Sequence, residues 1–115
     1  MVDTVKNRTD LKVRAAKSLA IIEPGETMST EDDGTLDDLV DPLIAQLAQD
    51  QIVYIDDSEE IDVVYFIPLA RLLANMAGPD FGSPINEAAK FRDEQELRRL
   101  SSTKPTYQTL KTVGY

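Results

Sequence analysis

The sequence predicts an all-α fold, a small bundle of about four helices followed by an extended C-terminal tail, and three observations predict it. The stretch Ile61–Ala77 carries only two charges, Asp62 and Arg71, with apolar side chains on nearly every face of a helix. Leu36, Leu39, Val40, Leu43, Ile44 and Leu47 recur at i, i+3, i+4, i+7, i+8 and i+11, the spacing of an amphipathic helix. After Leu100 the chain turns threonine-rich and loses helical periodicity. A chain of 115 residues is one domain by length and can hold one sizeable core.

Residues 1–8 lack an apolar period and read as a loose arm, which leaves residues 9–102 as the helical domain and 103–115 as the tail. A first helix starts from Thr9 or Asp10, either of which can cap it. Its spacing of Leu11, Ala15, Ala16 and Leu19 runs to about Ile22, with Lys12, Arg14 and Lys17 mostly on the other side. Glu23-Pro24-Gly25-Glu26 is a turn. Ser29 caps the second helix and places Glu31, Asp32 and Asp33 in its first turn, where the helix dipole favours anions. Pro42 removes one backbone hydrogen bond from that helix and is expected to kink it near Asp38. Asp50–Ile55 has two readings, a short edge strand or an extended link.

Asp56, Asp57, Ser58, Glu59 and Glu60 are expected to cap and charge the start of the central helix, Ile61–Ala77, in which Pro68 should make a kink. A helix apolar all round belongs inside a core. Gly78-Pro79 stops it, and Gly78–Pro84 is a tight turn with Phe81 tucked onto the core. The last helix is expected to begin with Ser83 as cap and Pro84 at its first position. Its apolar side would carry Ile85, Ala88, Ala89, Phe91 or Arg92, Gln95 and Leu100. In the tail Pro105 ends any helix, and Tyr107, Leu110 and Val113 recur every third residue ahead of Tyr115. Such a segment cannot bury those side chains on itself, so it is either disordered or ordered on a partner.

Composition narrows the chemistry. There is no His and no Cys, so the commonest general bases, nucleophiles and metal ligands are missing, and neither disulfides nor thiolate sites contribute. The acidic groups Glu31–Asp33 and Asp56–Glu60 could in principle pair for catalysis, but they stand at helix starts, where capping explains them. Asp32–Asp41 lacks the residue order of a calcium loop, and five glycines scattered singly build no phosphate cradle. No enzyme, metal or cofactor is therefore expected. Nor is a membrane span or signal peptide: the central helix is at the lower limit of length and holds Asp62, Pro68, Arg71 and Asn75.

The net charge of −9 is unevenly distributed: residues 1–20 carry +3, residues 21–70 carry fourteen carboxylates and no cation, and residues 71–115 carry +2. An acidic zone of this length repels nucleic acid. The basic face of the first helix leaves a second function class open, a small helical regulatory or nucleic-acid-binding protein; its alternative is an ordinary solvated face.

Two stretches carry a resemblance. LAIIEPGETMSTEDDGTLDDLVDPLIAQL, Leu19–Leu47, and FIPLARLLANMAGPDFG, Phe66–Gly82, stand in the order and spacing found in head-to-tail adaptor (tail accessory factor) proteins of short-tailed bacteriophages. The chain resembles that family over roughly residues 8–102, with an acidic-basic helix containing Leu-Arg-Arg and a polar tail following as they do there. Pro42, Pro68 and the Gly78 inserted in the Ala-Pro pair depart from the family pattern, and a helical connector family of long-tailed phages has a similar role.

The resemblance implies a structural virion protein, made in the host cytoplasm and resident in the head-tail neck. It would form a homo-oligomeric ring of twelve copies beneath the portal, contact the portal protein and a downstream tail or nozzle protein, and help retain packaged DNA. It further implies that Pro105, Tyr107, Leu110, Val113 and Tyr115 lie at the portal contact. Under that reading Glu31, Asp32, Asp33, Asp56, Asp57, Glu59 and Glu60 would face the channel, letting DNA pass without specific binding because like charges repel.

Overall fold

The computed structural model describes residues 4–23 and 25–103. They form four helices, α1 (Arg8–Ser18), α2 (Thr30–Gln49), α3 (Val63–Ala77) and α4 (Glu87–Thr103), with a 3-10 turn at Gly78–Phe81 and a two-stranded sheet of β1 (Val5–Lys6) and β2 (Ile61–Asp62). The all-α expectation holds. The core centres on α3, which packs on each of the other helices, while α4 packs mainly on α3. Leu11, Leu36, Leu47, Ile61, Leu69, Leu73 and Leu97 are fully buried there, and Phe81 packs against them from its turn as expected.

The described part of residues 1–8 is not a loose arm. Val5 and Lys6 pair antiparallel with Asp62 and Ile61, and the Val63 amide donates to the Thr4 carbonyl at 3.0 Å. The cap of α1 is Asn7 rather than Thr9 or Asp10. Its Oδ1 accepts from the Asp10 amide at 2.8 Å while the Asp10 carboxylate accepts from the Asn7 amide at 3.2 Å, a reciprocal capping box. In place of the edge-strand reading, Asp50–Ile55 is a link that buries Ile52, Val53 and Ile55 and exposes Tyr54.

Helix ends account for most shifts in boundaries. α1 stops at Ser18, short of Ile22, because Ala20 adopts a left-handed φ of 59°, its amide donates to the Lys17 carbonyl and the Ile21 amide to that of Ala16. α2 closes identically, with Gln51 at φ 58°, its amide on Ala48 and the Ile52 amide on Leu47. These are Schellman motifs built without glycine. α3 begins two residues later than expected, capped by Asp62, whose Oδ1 accepts from the Val64 amide at 2.9 Å. α2 and α3 both continue through Pro42 and Pro68.

Gly78 is needed because a Cβ there would stand 2.8 Å from the Ser83 carbonyl oxygen, whose own amide donates back to the Gly78 carbonyl. α4 starts at Glu87, three residues after Pro84, with the Asn86 side chain accepting from the Ala89 amide. The Asn75 amide group grips the backbone of Asn86 through both its atoms at 2.8 Å, pinning the start of α4 to α3. The inward side of α4 is Asp93 and Leu97, with Leu100 packed against the core as expected and Ala89 half-buried; Ala88, Phe91 and Gln95 are exposed, contrary to the expected face, as is Ile85 ahead of the helix.

A left-handed residue with a Cβ costs about 1–2 kcal/mol that glycine avoids. Gln51→Gly is therefore expected to raise the unfolding free energy by roughly 1 kcal/mol, whereas Gln49→Gly, inside the last turn of α2, should lower it by about as much. Urea unfolding of the two variants checks the pair.

Candidate functional site

Two features stand out on this scaffold: an ionic hub at the N-terminal end of α1, and an apolar strip on α3.

The hub is Arg8, which the sequence reading did not single out. Its side chain is mostly buried, and its Nε donates to Asp37 Oδ1 at 2.7 Å. Nη1 donates to Asp41 Oδ1 at 2.8 Å and to Ser58 Oγ at 3.0 Å, and Nη2 donates to the Asp37 carbonyl at 2.9 Å. The Arg8 amide also donates to Glu59 Oε1 at 3.3 Å. One turn on, the nearly buried Lys12 ammonium lies 3.0 Å from Asp33 and 3.1 Å from Asp37. The planar five-donor guanidinium suits such a junction, because it can meet α2 and the 56–60 loop in fixed directions at once.

These partners shift one another. Asp37 is held below its ordinary 3.8, first by the Arg8 hydrogen bond and then by that of Lys12. Burial opposes the charged form of Lys12, but its bonds to Asp33 and Asp37 outweigh that and raise it. Arg8 is raised by Asp41 and Asp37.

The seven acidic residues expected to face a channel therefore divide. Asp33 and Glu59 turn toward α1. Glu31, Asp56, Asp57 and Glu60 are exposed and Asp32 is half-buried. Asp57 Oδ1 accepts from the Glu59 amide and its carbonyl from the Glu60 amide, so this loop is folded on itself rather than capping α3. The Asp32 amide donates to Ser29 Oγ at 3.1 Å, the cap expected for α2. Among the described residues no three acidic side chains converge as metal ligands, and no helix is long and apolar enough to cross a membrane. Pro105, Tyr107, Leu110, Val113 and Tyr115 lie outside the described residues.

The strip on α3 corrects the expectation of a helix buried all round. Val63, Val64 and Ile67 are 39%, 41% and 39% exposed, and Arg71 continues their line. At 100° per residue these four occupy one sector of the helix, away from Leu69, Leu72 and Leu73. A shallow groove lies on either side. One, between α3 and α4, is lined by Val64, Ile67, Arg71, Arg92, Glu96 and Leu100, with the buried Asp93 carboxylate 3.7 Å from both Arg71 and Arg92. The other, between α1 and α3, is lined by Lys6, Asp10, Val13, Arg14, Lys17 and Phe66, with the Lys6 ammonium 5.6 Å over the Phe66 ring.

No protein-family model, curated protein or solved structure matches this chain. Of the cations on the first helix, Arg8 and Lys12 are committed to α2, leaving Arg14 and Lys17 exposed.

Because Asp37 is depressed in the folded protein, its charge stabilises the fold above its unfolded value near 3.8, and that contribution is lost as pH falls through the lower folded value. Asp37→Asn is thus expected to unfold at lower urea than the parent chain at pH 7, with the gap closing below pH 3.8. Urea midpoints measured for both chains from pH 7 down to acid test this; a gap that persists in acid removes the ionic explanation.

Proposed function

We propose that the protein is a structural head-to-tail adaptor: a virion component that forms a ring beneath the portal, connects the capsid to the tail and helps retain packaged DNA. The observation that carries this reading is the α3 strip, three β-branched side chains held at the surface of a well-packed helical core. Rigid apolar surface rimmed by charge is the composition of a protein-protein interface. The order of the motifs in Leu19–Leu47 and Phe66–Gly82, read on an all-α fold, supports the same class of protein.

In this reading the domain supplies the body of the ring and residues 104–115 supply the attachment to the portal, with Pro105, Tyr107, Leu110, Val113 and Tyr115 as its contacts. The downstream tail or nozzle protein meets the opposite end of the ring. The exposed carboxylates Asp56, Asp57 and Glu60 keep passing DNA from sticking, since like charge suppresses phosphate binding. The nucleic-acid-binding alternative is weakened by the withdrawal of Arg8 and Lys12 from the solvent-facing cations of α1.

Electron microscopy of the chain mixed with the portal ring of the same virion is expected to show an added ring of density. A chain truncated after Thr103 should keep the helical circular dichroism of the parent and fail to add that density. Attachment by the truncated chain refutes the role of the tail, and absence of attachment by the full chain refutes the adaptor reading.

A further inference from the structure

The α3 strip lies in the middle of one broad face, and that face and its reverse differ in charge. Arg8 and Lys12 point from α1 to α2, whereas Asp10, Arg14 and Lys17 are turned to nearly the opposite side of α1, toward the groove beside Phe66. On α3, Leu72 and Met76 line one cavity with Leu43 and Leu47 of α2, on the side of that helix away from Val64, Ile67 and Arg71. The front of the molecule is therefore α1, α3 and α4 side by side, and α2 forms the back.

Around its apolar centre the front presents Lys6, Arg14, Lys17, Arg71 and Arg92, opposed by Asp10, Glu96 and the buried Asp93, which lies 3.7 Å from both Arg71 and Arg92. The back presents Glu31, Asp38 and Asp41 on an element without a single Lys or Arg. Asp41 is already engaged by Arg8; Glu31 and Asp38 are exposed.

We propose that the front face is a docking surface for a second copy of this chain, with the acidic outer side of that copy's α2 seated over Val64 and Ile67 between the two rows of cations. The opposite charges steer and orient the contact, and the β-branched side chains supply its dry centre. Front-to-back contact is heterologous: each copy keeps one unused front or back, so association proceeds to a closed ring or an open chain and does not stop at a symmetric pair. The inference deepens the adaptor reading by naming the faces through which copies join. Portal attachment is read through residues 104–115 and self-association through these faces, so either can fail alone.

Sedimentation velocity of the full chain, at low and high salt, tests it with three samples. The parent chain is expected to self-associate with concentration, less so in high salt. A front variant, Val64→Glu with Ile67→Glu, and a back variant, Glu31→Lys with Asp38→Lys, should each self-associate at least about tenfold more weakly. Mixed together they should form a species of two copies and no larger one, because each retains one intact face. Should the front variant fail to fold, Arg14→Glu with Lys17→Glu replaces it, both being exposed side chains outside the core. A monomeric parent chain, or a back variant that pairs as well as the parent, overturns the proposal; the second result would mean front-to-front pairing. So would a parent chain that stays monomeric yet retards duplex DNA in a manner the front variant abolishes.

Discussion

Burial of α3 on several sides at once is the constraint on which the rest of the structure depends. A domain this small has one core, and here a single helix supplies its shared wall: Leu69 and Leu73 are fully buried, and α1, α2 and α4 all pack on the same fifteen residues. Burying a leucine contributes about 1.5–3 kcal/mol, so two such residues outweigh any surface ion pair in the molecule. α4 is the element most dependent on this arrangement. It is held by Leu97 and Asp93 against α3 and by the Asn75 grip on Asn86, so whatever loosens α3 releases α4 with it.

That dependence also explains the exposed strip. Three helices around a fourth leave one sector of it uncovered, and the sector left here holds Val63, Val64 and Ile67 rather than polar residues. The ionic hub acts on the other side of the fold. It fastens α1 to α2 with two cations that an amphipathic helix could otherwise show to solvent, and it draws in Asp33, Asp37 and Asp41 of α2.

The helices were legible where sequence periodicity and packing agree. α2 shows its Leu36, Val40, Leu43 and Leu47 face and its Ser29 cap in the letters themselves, and all are found in place. Boundaries were harder where the stopping signal is conformational: Ala20 and Gln51 take the left-handed position that glycine would have advertised. The face of α4 was misjudged because its inward side holds a carboxylate, Asp93, while Phe91 is turned outward; hydropathy ranks those two residues the other way round. α3 reads as apolar on all sides whether its open sector is covered by the same chain or by something else, so periodicity cannot show that part of it stands at the surface. Arg8 was missed for a different reason. Its partners are 29 to 51 residues away, and no local pattern announces a contact over that distance.

That separation in sequence bears on the order in which the protein assembles. Closing loops of 29, 33 and 50 residues carries an entropic cost that one guanidinium cannot offset alone. The bonds of Arg8 to Asp37, Asp41 and Ser58 are therefore expected to form after hydrophobic collapse has brought α1, α2 and the 56–60 loop together, downstream of the folding nucleus. Contacts absent from the transition state slow unfolding and leave the folding rate almost untouched. On that expectation Arg8 is a latch on a finished domain, one that lengthens the lifetime of the native state without helping to find it.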